Sequence, residues 1–141
     1  MQMIKGDDYS ARYDEANNII YGIYGAVVTA ESTTGLYSRL AQLFTEADVK
    51  SIRGLVMDFR RVERFDKGNM AAVQRESHTI NHKFDLAHLP VALVVDTPLQ
   101  EQIVSITNKV TPEPFRKQIV YSIAEAHTHF DEWHKEHSAN A

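Results

Sequence analysis

Apolar and polar positions follow two different periods along this chain, and together they predict a regular order of strands and helices. Residues 9–14 and 19–24 have strand character and flank the polar residues 15–18, a combination that predicts a β-hairpin. Later short apolar segments are too brief for helices and are bounded by charged residues or proline. They predict three further strands, at residues 54–59, 91–95 and 118–121. We expect residues 54–59 to form the buried central strand.

Between these strands, apolar residues recur at the spacing of an α-helix, which predicts four helices that each bury one stripe. The predicted inner stripes are Leu36, Leu40, Leu43, Phe44 and Ala47 in the first helix, Met70, Val73, Ser77 and Ile80 in the second, Leu99, Ile103, Ile106 and Val110 in the third, and Ile123, Ala126, Phe130 and Trp133 in the fourth.

Residues that favour a helix start precede each stripe, because their side chains accept hydrogen bonds from exposed backbone amides. The predicted starts are Thr29 or Ser32 for the first helix, Asp66 or Lys67 for the second, Thr97 followed by Pro98 for the third, and Ser122 with Glu125 as a capping box for the fourth.

The elements alternate after the hairpin, and this order predicts an α/β fold with crossover helices joining parallel strands. We expect a mixed sheet of about five strands with four helices packed against it. The chain has 141 residues and shows no linker or repeat, so residues 1–141 are interpreted as a single domain. Its ends, residues 1–8 and 138–141, are expected to be loosely held.

Composition narrows the classes of function. The formal net charge of −4 argues against a general nucleic-acid binder, whose phosphate contacts need a basic surface. The absence of cysteine excludes disulfides and thiol chemistry. The N-terminus has no apolar run, and no stretch reaches the length of a membrane span, so we expect a cytoplasmic protein without a membrane segment.

Basic residues cluster directly after the predicted central strand, in a segment that we call the basic segment (residues 60–69). A helix start offers unpaired amides and a partial positive charge, so the segment predicts a site for phosphate or carboxylate. The candidate ligand-binding residues are Arg60, Arg61, Arg64, Asp66, Lys67, Gly68 and Asn69. The alternative is a solvated loop whose charges are offset by Asp58, Glu63 and Asp66, the commoner outcome for charge runs.

Catalytic and metal-binding patterns are weak. His78 and His82 lie four residues apart, and His127, Asp131 and His134 share one predicted helix face, but no further ligand completes a known metal motif. There is no Gly-x-Ser-x-Gly elbow and no glycine-rich phosphate loop. Asp58 and Asp66 are better explained as a strand end and a helix cap than as paired acid–base groups. We therefore expect no metal, no cofactor and no enzymatic activity.

The element order, read with four local sequences, resembles the SpoIIAA-like family. The sequences are Gly54-Leu-Val-Met-Asp58, Phe65-Asp66-Lys67-Gly68, Leu89-Pro-Val-Ala-Leu-Val-Val95, and the final strand with its capped helix. That family belongs to the STAS superfamily of anti-sigma-factor antagonists and transporter domains, and it is distantly similar to Sec14-type lipid-binding domains. The resemblance implies a regulatory binding domain, although fold alone does not fix function.

One departure from the family pattern changes the expected mechanism. Switching antagonists carry an Asp-Ser-Ser-Gly-like turn at the start of the second helix, and a serine in it is phosphorylated. The matching residues are Asp66, Lys67, Gly68 and Asn69, so the aspartate is kept and both serines are absent. The resemblance therefore implies partner binding without the usual phosphate switch.

Three functions remain open at this point. The leading hypothesis is a binding domain for a protein partner or a small anionic ligand. The alternative is a Sec14-like carrier of a lipid or other hydrophobic ligand, which needs a closed apolar pocket of several hundred Å³, roughly the usual size of a ligand site. An enzyme of unrecognised type is the third. A homodimer is compatible with all three, because symmetric pairs are common, but no residue argues for one.

Overall fold

The computed structural model describes residues 8–138, which form seven strands and four α-helices. The strands are β1 Tyr9–Asp14, β2 Ile19–Tyr24, β3 Val27–Val28, β4 Gly54–Asp58, β5 Arg64–Phe65, β6 Val91–Val94 and β7 Lys117–Val120. The helices are α1 Ala30–Glu46, α2 Asn69–Lys83, α3 Pro98–Asn108 and α4 Ile123–Ser138. The main sheet has five strands in the order β1-β2-β4-β6-β7, with β1 antiparallel to β2 and the other neighbours parallel. The predicted α/β fold with a mixed sheet and four helices is confirmed.

The predicted N-terminal hairpin is confirmed with its bounds unchanged. Tyr9 pairs with Tyr24 at one end, and Asp14 pairs with Ile19 at the turn. Asn18 has a φ of 57°, a left-handed conformation that asparagine tolerates better than most residues. The Asp14 carboxylate accepts a hydrogen bond from the Ala16 amide at 3.1 Å, which fixes the turn.

Helices cover both faces of the sheet. The larger core lies beneath α1, α2 and α3 and includes Leu36, Met57 and Leu93. The smaller core lies on the opposite face, where Phe130 of α4 packs with Val56. A Cβ atom added to Gly54 would lie 2.5 Å from the Phe130 ring, so glycine is what lets α4 approach the central strand this closely.

The predicted helix caps are confirmed for α1, α3 and α4. In α1, the Ser32 amide donates to Thr29 Oγ1 at 2.9 Å, and the Thr29 amide donates to Ser32 Oγ at 2.8 Å. Thr97 and Gln100 form the same reciprocal arrangement at the start of α3. In α4, the Ser122 half of the predicted capping box is confirmed, because the Glu125 amide donates to Ser122 Oγ at 3.1 Å.

The predicted start of α2 at Asp66 or Lys67 is wrong, since the helix begins at Asn69. The Asp66 amide donates to Val28 O at 2.9 Å, which keeps Asp66 in line with β5 rather than in a helix. The Asp66 carboxylate accepts from Arg64 Nε and does not cap the helix. Gly68 occupies the N-cap position without any side-chain cap.

Two predicted inner stripes are wrong in part. In α2, Met70 is 39% exposed, whereas the buried positions are Asn69, Ala72, Ser77 and Ile80. In α3, Leu99 is 48% exposed and Ile106 is 44% exposed. The buried residues of α3 are Gln100, Val104 and Thr107, because a polar side chain at position 100 turns inward and sets the rotation of the helix.

Two short strands, β3 and β5, pair in parallel to form a second small sheet that the sequence did not predict. The predicted loose ends lie outside the described residues at 1–7 and 139–141, whereas Ser138 belongs to α4. From residue 8 to residue 138, no helix combines the length and apolar character needed to cross a membrane.

Candidate functional site

The backbone of the basic segment is held against the start of α1. Val27 and Val28, which lie just before α1, pair with Arg64 and Phe65 of the segment. The Glu63 amide also donates to Ala26 O at 2.7 Å. These main-chain contacts give an outwardly polar segment a defined shape.

Gln100 joins the basic segment to the start of α3. Its side-chain nitrogen donates to Arg60 O at 3.2 Å and to Val62 O at 2.8 Å. Its side-chain oxygen accepts from the Asp96 amide at 2.7 Å and the Thr97 amide at 3.1 Å. Gln100 is only 1% exposed, so these bonds form away from water, where each is electrostatically stronger.

Arg60 is paired inside the chain. Its Nε donates to Asp58 Oδ1 at 3.0 Å and its Nη2 donates to Asp58 Oδ2 at 2.9 Å, a two-pronged ion pair. The hydrogen bonds to Asp58 raise the pKa of Arg60, and partial burial opposes the shift. Arg60 therefore has less capacity for an external anion than its position in the sequence suggests.

The outer part of the segment is open to solvent. Arg61, Lys67 and Gly68 are exposed, and no described carboxylate lies within ion-pair distance of Arg61 or Lys67. Arg64 is also exposed, and its Nε donates to Asp66 Oδ1 at 3.1 Å. Because α2 begins at Asn69, Lys67 lies in the turn before the helix and not in the first helical turn.

Asn69 belongs to the interior. Thr33 Oγ1 donates to Asn69 Oδ1, and the Tyr24 hydroxyl lies 3.0 Å from Thr33 Oγ1. Since the Thr33 proton is used on Asn69, the Tyr24 hydroxyl is the donor in the second bond. Burial raises the pKa of Tyr24 well above its ordinary range, which keeps the hydroxyl protonated for this role. The backbone amide of Asn69 donates to Asp66 O at 3.1 Å, so this N–H group is not free to bind an anion.

His127 and His134, which were predicted to share a helix face, contact different partners. His127 Nε2 lies 3.0 Å from the Tyr21 hydroxyl, whereas His134 Nε2 lies 2.7 Å from Arg53 O. Asp131 forms an ion pair with Arg53. Among residues 8–138, no three His, Asp or Glu side chains are arranged to hold a metal ion.

A cavity lies between the sheet and helices α1, α2 and α3, with a volume of about 90 Å³. Its walls are mainly apolar, and its polar groups come from α2, from the end of α3 and from the segment that leads into β7. The apolar lining includes Leu40, Phe44, Leu55, Met57, Val73, Val91, Leu93 and Val104. The polar lining includes Asn81, Asn108, Thr111, Arg116 and Lys117.

Comparison with known proteins gives a match in structure and none in sequence. No protein-family profile matches the chain, and no curated protein matches it. An uncharacterised protein with a SpoIIAA-like fold from Shewanella loihica PV-4 superposes with a TM-score of 0.57 at 13% identity, covering 89% of this chain and 96% of that one. The chain has the SpoIIAA-like fold.

Two anti-sigma factor antagonists share this SpoIIAA-like fold. SpoIIAA in its unphosphorylated form matches with a TM-score of 0.53 at 7% identity, over 83% of this chain and 91% of that one. An antagonist from Mycobacterium paratuberculosis matches with a TM-score of 0.52 at 14% identity, over 89% and 97%. The predicted resemblance is thus confirmed for the fold, and at these identities the similarity carries no further property across.

Several residues that shape the basic segment and the cavity were not identified from the sequence. Thr33 and Gln100 appeared only as ordinary positions of helices, because their partners are far away in the chain. Arg116 and Lys117 did give a signal, as two adjacent cations before a predicted strand. Nothing in the sequence placed them at a cavity, since the cavity walls come from three helices and the sheet.

Proposed function

We propose that this chain is a non-enzymatic regulatory domain of the SpoIIAA-like type. In this proposal it binds a protein partner through an exposed surface, the docking surface, formed by Arg61, Arg64, Lys67, Gly68 and Met70. The shared fold with two anti-sigma factor antagonists supports a regulatory domain. The local structure of the basic segment supports the location.

The observation that carries the proposal is an exposed turn on a rigid base. Lys67 and Gly68 are exposed in the turn that precedes α2. Gln100 holds one side of the segment, and Asn69 holds the other through Thr33. A surface fixed in advance loses little conformational freedom on binding, which favours recognition.

The residues of the predicted site divide into two groups in this proposal. Arg61, Arg64, Lys67 and Gly68 provide contact surface, whereas Arg60, Asp66 and Asn69 maintain its shape. Met70 adds one apolar side chain that is 39% exposed. Because Arg61 and Lys67 lack a carboxylate at ion-pair distance among the described residues, the surface fits a partner with an acidic rim.

Partner binding here does not depend on phosphate in the turn. Lys67 and Gly68 carry no hydroxyl where the resemblance places serines. The hydroxyls of α2 lie more than one helical turn beyond the turn itself: Ser77 is buried, and Thr79 is exposed with its Oγ1 donating to Arg75 O at 2.9 Å. In this proposal, the chain keeps a docking surface at the turn before α2 and lacks the phosphate switch that the resemblance implies there.

The hydrophobic-carrier alternative has less support. The cavity volume of about 90 Å³ is well below the roughly 300 Å³ at which ligand pockets usually begin. An acyl chain or a lipid would need the helices to move apart. Native mass spectrometry of the intact protein tests this alternative directly, because a retained lipid would be seen as added mass.

Site-specific photo-crosslinking in cells of the source organism tests the docking surface. A photoreactive residue in place of Lys67 should give a discrete protein adduct, whereas the same residue in place of Glu132, which is exposed on α4 across the sheet, should not. Adding Met70→Glu should reduce the adduct at position 67 by about tenfold, the effect of losing roughly 1.4 kcal/mol.

The matched control is Thr79→Glu, an exposed position in the middle of α2 that should leave the adduct unchanged. Equal crosslinking from positions 67 and 132 would contradict the proposed surface. So would an adduct that Met70→Glu leaves at full yield.

A further inference from the structure

Two adjacent cations, Arg116 and Lys117, lie at one end of the cavity beneath α2 and α3. Arg116 is 2% exposed and makes three contacts within the chain. Its Nη1 donates to Leu89 O at 2.8 Å, its Nη2 to Asn81 Oδ1 at 3.2 Å and its Nε to Glu113 Oε1 at 3.2 Å. A guanidinium has five N–H donors, so about two remain after these bonds.

Lys117 has two hydrogen-bond partners, and neither of them is charged. Its Nζ donates to Thr111 Oγ1 at 2.7 Å and to Pro112 O at 3.1 Å, which leaves about one of its three N–H donors. No described carboxylate lies within ion-pair distance of Lys117. Burial, and next the charge of Arg116, lower the pKa of Lys117 from 10.5 to about 7.

The charges at this end of the cavity do not balance. Arg116 and Lys117 supply two cations, and among residues 8–138 Glu113 supplies the one carboxylate that pairs with them, at Arg116. A buried cation without a counterion is costly, and one added anion would balance the group. The free N–H donors of both cations provide the hydrogen bonds that such an anion needs.

We propose that the cavity binds a small apolar monocarboxylate, with its carboxylate between Arg116 and Lys117 and its short aliphatic tail against the apolar walls. The tail would lie near Leu93 and Val104, which line the same cavity. A cavity volume of about 90 Å³ suits a short chain better than a lipid. This inference is independent of the docking surface and goes beyond the proposed function.

Carboxylate fits this site better than phosphate. A phosphate carries more than one negative charge near neutral pH, whereas the local imbalance is a single charge. A phosphate also has no apolar part to contact the walls that make up most of the cavity. The planar carboxylate suits the fork of a guanidinium and leaves its hydrocarbon end for the interior.

Binding should be coupled to protonation of Lys117. The charged and titratable groups that face Lys117 or line the same cavity are Arg116, Glu113, Tyr24 and Tyr37. Burial raises the pKa of Tyr24 well above its ordinary range. Burial raises the pKa of Tyr37 to about 12, so this hydroxyl stays neutral through the physiological range. A bound carboxylate favours the ammonium form, so its affinity should fall as pH rises through 7, and binding above pH 7 should take up a proton.

Isothermal titration calorimetry of the full chain tests the site with butyrate and its neutral analogue butyramide. Butyrate should bind at pH 6.5 and lose about tenfold in affinity by pH 8.5, as expected for one charge-assisted contact. Butyramide should bind at least about tenfold more weakly at pH 6.5. Parallel titrations at pH 7.5 in HEPES and Tris should differ in heat, because the protein takes up a proton from the buffer.

Variants and amide shifts complete the test. Lys117→Met should weaken butyrate binding at pH 6.5 and remove its pH dependence, whereas Lys135→Met, on the exposed part of α4, should change neither. If Lys117→Met does not fold, butyrate-induced NMR shifts in the wild type should centre on Asn81 and Lys117. Equal binding of butyramide, shifts confined to Lys67 and Gly68, or no binding at millimolar butyrate would each overturn the site, and none would affect the crosslinking at Lys67.

Discussion

The basic segment and the cationic end of the cavity contain the same types of charge, and the fold uses them in different ways. In the basic segment, Arg60 pairs with Asp58 and Arg64 pairs with Asp66, each only two residues away. At the cavity, Arg116 contacts Leu89 and Asn81, which are 27 and 35 residues away in the chain. The ion pairs of the basic segment join near neighbours in the chain and are open to water. The contacts of Arg116 join elements that are far apart in the chain.

This difference shows that the density of charge along a sequence is a poor guide to the free energy that a charge contributes. Exposed ion pairs gain little, because water and ions screen them and the side chains lose freedom. A buried cation loses its hydration and depends on the partners that the fold supplies. Exposed charges therefore suit contact with a partner, whereas buried charges affect stability and titration.

The largest expected effect is a pH dependence of stability caused by Lys117. In the unfolded chain its pKa returns toward 10.5, whereas the folded value is about 7. Between these values the unfolded chain holds more protons, so Lys117 makes stability rise with pH, by on the order of 4 kcal/mol across the window. Urea denaturation from pH 6.5 to 9.5 should show wild type gaining stability relative to Lys117→Met.

Lys135→Met serves as the control for removing one lysine charge from an exposed position. A wild-type minus Lys117→Met difference that stays constant over the whole range would show that Lys117 is solvated like the charges of the basic segment. The comparison between the two regions would then lose its main support.

A second comparison replaces one arginine in each region. Arg116→Ala should destabilise the protein by about 3 kcal/mol, because it leaves the Leu89 carbonyl and Asn81 without their buried partner. Arg64→Ala should change stability by less than about 0.5 kcal/mol, as expected for an exposed residue. Midpoints and slopes of urea unfolding measure both. Equal losses from the two variants would mean that burial does not separate these arginines.

A third comparison lies within the basic segment itself. Asn69→Ala should cost about 1–2 kcal/mol, since it removes the acceptor of the buried Thr33 hydroxyl, whereas Lys67→Ala should be nearly neutral. In a double-mutant cycle, Thr33→Val and Asn69→Ala should be non-additive because they remove the same bond. Additive losses would show that the bond contributes little.

The sequence predicted the elements whose signals are local. The turn at Asn18 and the caps at Thr29, Thr97 and Ser122 depend on neighbouring residues, and all were confirmed. The apolar runs of β4 and β6 were long enough to identify as buried strands. Strands of two residues, such as β3 and β5, are too short to show an alternation of apolar and polar side chains, so the small sheet was not predicted.

The errors in the site have a common physical cause. Asp66 has the chemistry of a helix cap, but its amide is engaged by Val28, and this contact delays the helix. Gln100 has the chemistry of a surface residue, but it turns inward to bond Val62 O and rotates α3 with it. Both depend on partners that only the folded chain supplies, as do the cavity and its cations.

The close approach of α4 to the sheet at Gly54 also has a consequence for synthesis of the protein. Among the described elements, α4 is the one that packs over Ile19, Tyr21, Val56 and Val94, and it is also the last to leave the ribosome. Until it emerges, the nascent sheet presents an apolar face to solvent or to a chaperone. The interval before α4 docks is therefore the stage at which a growing chain is most exposed to aggregation and proteolysis.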